Sequence, residues 1–327
     1  MVRRVLVVLA IISGSAIVTF SGFRDCGWLE TAFGSGSCAG SVTLDNIASV
    51  RSTVAVNSDG DVVVLGNRYT ATNREGDFDV RAQIAIIDWQ AGKEVRRIEP
   101  DFSGRPDQLI LSATNEGMAI TCRSFYACDL ADLPSGQDAF GATQLALLDE
   151  DGSINWVGAV MREEAPPSVE GRAFDLAFSA DGRSLVAGPV VFSVADGARG
   201  SGSAQVSITS HATLLASYDF ELAGQRRSLG LPAGFVPFTR LQTATSRDGK
   251  SLATLSRRFS GEGAIRSVLQ IWDIARGELV TRHEIVSDLA PALAWHPDGS
   301  LVFVATASPV AEDASTQIRA YRTGLAQ

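Results

Sequence analysis

Two carboxylates stand where chemistry could happen. Asp107 precedes the apolar run "QLILS", and Asp175 lies inside "FDLAFSADG". A pair of acids facing one another can hydrolyse a glycosidic bond, one protonating the leaving oxygen and the other attacking or activating water. Three further runs of the same kind, "STVAVNS", "LQTATS" and "PALAWH", bring no carboxylate. A hydrolase acting on a sugar or ester would therefore hang on Asp175, whose plainer role is a structural acid bonded to backbone. His211 and His296 both fall at turns, without a Ser or Cys partner at an interpretable position for nucleophilic catalysis. The four cysteines fall into two local pairs, Cys26 with Cys38 and Cys122 with Cys128. Neither pair has the close spacing of structural zinc ligands, and both read as short-loop disulfides. "DEDGS" from Asp149 lacks the distal Glu of a calcium loop, and "GARGSGS" follows no strand-to-helix unit that could cradle a phosphate. No catalytic residue, cofactor or metal is assigned.

The elements that would position these groups are strands. Five anchors, Asp59, Glu116, Asp181, Asp248 and Asp298, each precede a glycine between an apolar run and a second run rich in β-branched residues. Gly supplies the left-handed backbone that a tight hairpin requires, so each anchor predicts a hairpin. Downstream of most anchors a second strand pair follows: "QIAIIDWQAGKEVRRI", "QLALLDEDGSINWVGAV", "QVSITSHATLLASYDF" and "VLQIWDIARGELVTRH". Beyond Phe23 no long stretch carries the spacing of an amphipathic helix. Four-stranded units repeated along a chain predict an all-β propeller, because one blade cannot bury both of its faces alone.

The anchors are 50 to 67 residues apart, too close for an additional blade between any two, so the expected number is five. The blades are expected at about 50–102, 107–165, 172–224, 238–286 and 290–324. The last holds only three strands, and "GSVTLDNIAS" at 40–49 is expected to supply the fourth beside "TQIRAYRTG" at 316–324. Pairing the two chain ends removes exposed sheet edges.

"FSADGRSLVAG", "HPDGSLVFVAT" and "LQIWDIARGELV" resemble the Trp-Asp repeat of bacterial WD-repeat β-propellers. Trp272-Asp273 reproduces the dipeptide, Asp88-Trp89 reverses it, and the Gly-His that precedes the inner strands of that family is absent. The resemblance implies a non-catalytic, protein-binding role. It also implies that turns such as Asp59-Gly60, Asp181-Gly182, Gly92-Lys93 and Arg276-Gly277 share one face. The opposite face then carries the long segments from Asn67, Cys122, Arg162, Gly188 and Glu221. Loops bear binding more often than strands do, so that face is the candidate surface. Arg226, Arg227, Arg240, Arg257 and Arg258 are its candidate partner-binding cations, with a protein as the expected partner.

Composition and address agree with this. A net charge of −9 argues against nucleic acid, which demands a concentrated basic stripe. "MVRR" followed by the uncharged stretch 5–23 has the layout of a signal peptide or an N-terminal anchor, and 24–39 reads as a Cys-bounded connector. The chain is expected to be exported, periplasmic or held at the inner membrane by 5–23, with no other membrane contact. Cleavage and retention of that segment both stay open.

Overall fold

The computed structural model describes residues 38–71, 78–100, 106–112, 117–123, 142–161, 176–179, 182–187, 190–200, 217–222, 225–230, 238–259, 265–286, 292–307 and 315–325. Every regular element among them is a β-strand, and all pairings are antiparallel. The expected leader at 1–23, the connector up to Ser37, the anchors Glu116 and Asp181, and Cys26, Cys128, Asp175 and His211 lie outside the described residues.

The N-terminal strand β1 (Cys38–Asp45) does not pair with its sequence neighbour. Sheet one is β2 (Ala48–Val56), β3 (Val62–Ala71), β4 (Phe78–Asp88) and β5 (Lys93–Ile98), hydrogen-bonded in chain order. Sheet two follows with β6 (Pro106–Leu111), β7 (Met118–Arg123), β8 (Ala142–Leu148) and β9 (Ile154–Met161). Sheet three is shorter: β10 (Leu176–Phe178), β11 (Ser184–Ala187), β12 (Val190–Ser193) and β13 (Arg199–Gly200). A separate hairpin, β14 (Ser217–Leu222) and β15 (Gln225–Gly230), stands between sheets three and four in the chain. Sheet four is β16 (Phe238–Thr245), β17 (Ser251–Phe259), β18 (Ile265–Asp273) and β19 (Glu278–Val286). Sheet five takes β20 (Ala292–Trp295), β21 (Leu301–Ala307) and β22 (Ser315–Arg322) from the C-terminal end and β1 from the N-terminal one.

The pairing of the chain ends follows the side-chain pattern. Along β1, Val42 and Leu44 are buried while Thr43 between them is exposed, the period of two that a half-covered strand needs. Ser41–Asp45 lie opposite Arg319–Ser315 in unbroken register. Thr316 Oγ1 donates to the Ile47 carbonyl at 2.9 Å, so the polar group in this seam is satisfied. The strand begins two residues earlier than the 40–49 stretch expected, and its last residues belong instead to the start of β2.

The sheets pack face against face in a continuous series. One buried cluster joins sheets five and one through Leu44, Val62, Ile87, Trp89, Phe303 and Ile318. A second joins sheets one and two through Val63, Ile84, Leu109 and Ile120, and a third joins sheets two and three through Leu145, Leu147, Leu185 and Phe192. A fourth joins sheets four and five through Leu255, Leu269, Trp295 and Val304. The order of packing is thus four, five, one, two, three. Among the described residues no cluster joins sheet three to sheet four.

Three expectations change. The stretch from Gly188, expected as a long loop, holds β12, a turn and β13. Asp196-Gly197 lets the chain double back there, with Gly197 at φ 68° and its N–H donating to the Ser193 carbonyl. The outer strands of sheet three therefore come from 190–200 and not from "QVSITSHATLLASYDF". The end of that run, with the residues after it, forms the β14–β15 hairpin, closed between Leu222 and Gln225. The segment from Asn67 opens and closes in strand, because the β3–β4 pairing continues from Val62–Ile87 to Ala71–Phe78.

Candidate functional site

The first strands of the five sheets in chain order, β2, β6, β10, β16 and β20, each lead into a polar residue: Asn57, Ser112, Ser179, Ser246 and His296. That residue organises the turn. Asn57 Oδ1 accepts from the N–H groups of Asp59 and Asp61 at 3.1 and 2.8 Å. Ser179 Oγ accepts from the Ser184 N–H at 2.9 Å. Ser246 Oγ donates to Asp248 Oδ1 at 2.6 Å, and the same carboxylate oxygen accepts from the Lys250 N–H at 3.0 Å. The hydroxyl of Ser246, ahead of that amide, holds the Asp248 carboxyl below its ordinary range. His296 Nδ1 lies 2.6 Å from Asp298 Oδ1, and Asp298 in turn accepts from the Ser300 N–H at 2.8 Å. His296 is thus a turn residue, and its ring also reaches sheet one. A methyl group placed on Gly60, which sits at φ 90°, would come within 2.6 Å of His296 Nε2.

These polar residues and the strand ends that precede them line a cavity of about 460 Å³, within the range of small-molecule sites. Its wall is apolar, with Val54, Val56, Leu109, Leu111, Phe178 and Leu293. Its rim is polar and carries Asn57, Ser58, Ser112, Ser179, Arg247 and His296. No Asp or Glu lines it among the described residues. Composition could not reveal this cavity, because its rim is built from one or two residues of each of five distant segments.

The residues singled out from sequence are placed less tightly. Asp107 is on β6. Arg226 and Arg227, expected on a loop, are on β15, where they pair with Glu221 and Phe220. Arg240 is on β16, and Arg257 and Arg258 are on β17, opposite Ser267 and Arg266 of β18. The structure thus brings three of the five arginines into one sheet and sets the other two on the separate hairpin. Cys122 is on β7 opposite Pro106, and no cysteine among the described residues is free. Among the described residues no group of three or more His, Cys, Asp or Glu is arranged to hold a metal ion, and no helix is long and apolar enough to cross a membrane.

His283 was not anticipated. It lies on β19 opposite Leu269, 6% exposed, with its ring stacked on Tyr321 at 5.1 Å across the interface of sheets four and five. Its Nε2 is buried without a hydrogen-bond partner. Burial lowers its pKa from the ordinary 6.5, outweighing the opposing hydrogen bond with the Arg322 backbone. The folded state therefore binds this proton less readily than the unfolded chain. The stabilisation is complete above about pH 6.5 and is lost as pH falls from there through the folded-state value. Urea midpoints measured from pH 7.5 to 5 are expected to fall, and His283→Phe, which keeps a ring on Tyr321, is expected to flatten that fall. An unchanged slope in the variant would assign the pH dependence elsewhere.

No protein family matches the chain, and no curated protein does. Among solved structures, the hydrazine synthase of Kuenenia stuttgartiensis is similar over 80% of this chain, at 14% identity and a TM-score of 0.27, and this chain spans 57% of that one.

Proposed function

We propose that the chain is a five-bladed β-propeller serving as a non-catalytic protein-binding scaffold of the bacterial cell envelope. The observation that carries this reading is the meeting of five strands, one from each four-stranded sheet, at one cavity, with the polar residues that end them, Asn57, Ser112, Ser179, Ser246 and His296, at the same mouth. In antiparallel sheets the ends joined second to third, and the ends that lead from sheet to sheet, must then lie at the opposite side. Length variation is concentrated in those connections, which makes that side the partner surface. Arg240, Arg257 and Arg258 share one sheet and supply cations toward a protein partner, with Arg226 and Arg227 contributed by the hairpin.

The likeness to WD-repeat propellers is part of the proposal. Trp272, in the Trp-Asp dipeptide, donates from Nε1 to Thr254 Oγ1 at 3.1 Å, a link from third to second strand. Trp295 donates to the Ala244 carbonyl at 2.7 Å across two inner strands. Export by 1–23, cleaved or retained as an anchor, and disulfides Cys26–Cys38 and Cys122–Cys128 complete the reading, since disulfides persist in oxidising compartments.

The test is proximity labelling in the native envelope with the full chain and with a variant whose 124–138 segment is replaced by a short Gly-Ser linker. The variant is expected to keep its fold, read by circular dichroism, and to lose one or more labelled neighbours. An identical set of neighbours from a folded variant would remove this segment from the partner surface.

A further inference from the structure

The cavity lies at the turn side of the inner strands, away from the surface assigned to partners, and its chemistry is specific. We propose that it is a binding site for a small organic anion with an apolar body, the anionic head held by Arg247 and the body laid along the inner-strand wall.

Three observations carry this. The first is the division of the lining: aliphatic and aromatic side chains along the strands, and hydroxyl, amide and cationic groups at the mouth. Such a surface suits an amphipathic molecule, since burial of apolar area supplies affinity while a few placed polar groups fix orientation. The second is the state of Arg247. Its side chain is exposed, and no carboxylate pairs with it among the described residues. The adjacent acid is already engaged, because Asp248 accepts from Ser246 and from the Lys250 backbone and lies 3.8 Å from the Lys250 ammonium. A guanidinium with open donors matches a carboxylate through two parallel hydrogen bonds. The third is the commitment of the other basic group at the mouth. His296 faces Asp298 through Nδ1 and Gly60 through Nε2, so the head group's partner is Arg247.

Calorimetric titration of the purified full chain with octanoate, octanol and acetate tests each part. Octanoate is expected to bind at one site, octanol about tenfold more weakly because it lacks the charge, and acetate without detectable heat because it lacks the body. Arg247→Ala should weaken octanoate about tenfold, down to the octanol level, and leave octanol unchanged. Arg276→Ala, which removes a cation from another tight turn outside the lining, should change nothing. Absence of octanoate binding, equal affinity in Arg247→Ala, or acetate as tight as octanoate would each overturn the proposal. The result is independent of the labelling experiment above, which concerns the opposite side of the sheets.

Discussion

Leu44→Asp is expected to abolish cooperative folding. Leu44 is 1% exposed on β1 and packs in the cluster that joins the first and fifth sheets. Its backbone neighbour across the ladder is Thr316, nearly the whole length of the chain away. An unpaired carboxylate there would face Phe303 and Ile318 with nothing to satisfy it, at a cost of several kcal/mol. A domain has only about 5–15 kcal/mol of stability in total. The loss also frees the edge of β22, and an unpaired edge strand invites association with other chains. Thr43→Asp is the matched control: the same charge, one residue away, on the exposed face of the same strand. It should cost within about 0.5 kcal/mol. Urea unfolding followed by far-ultraviolet circular dichroism, with size-exclusion chromatography for association, reads both variants. A Leu44→Asp protein with the parental midpoint would mean that β1 is not seated on β22.

Phe303→Ala is expected to destabilise by about 3–5 kcal/mol, the range for a large aromatic side chain removed from a core. Phe303 is fully buried on β21, and its ring meets Trp89 in a T-shaped arrangement, with centroids 4.8 Å apart and planes at 77°. Trp89 belongs to the turn between β4 and β5, so this contact joins sheets one and five and tests their packing rather than either sheet alone. A double-mutant cycle with Trp89→Ala should return a coupling energy of about 0.5–1.5 kcal/mol, as for other aromatic pairs at this separation. Zero coupling would mean that the two sheets do not pack through this pair.

Much of the architecture was legible in short stretches. Asp248-Gly249 and Asp298-Gly299 marked hairpins, because the turn needs a residue tolerant of positive φ and a side chain that can accept from the backbone N–H two residues on, and both requirements are local. The partner of β22 was legible too, since three strands at one end and a lone alternating strand at the other leave complementary edges. Sheet three was misjudged for the same local reason. "VADGAR" contains a turn as good as any anchor, yet the long segment around it read as a loop, and only pairing with Ser184–Ala187 distinguishes β12 from loop residues. Arg226 and Arg227 were misplaced similarly, because "QRRSLG" carries no apolar alternation and becomes a strand through its partner "SYDFEL".

The amino-acid order alone determined the all-β character, the hairpin turns and the pairing of the chain ends, since period-two alternation and turn chemistry act over a few residues and need no distant partner. The tertiary structure decided which segments complete the third sheet, where His283 is buried, and that Arg247 stands at the mouth of an apolar cavity. Those depend on faces brought together from segments tens to hundreds of residues apart, and a linear pattern carries no record of which faces meet.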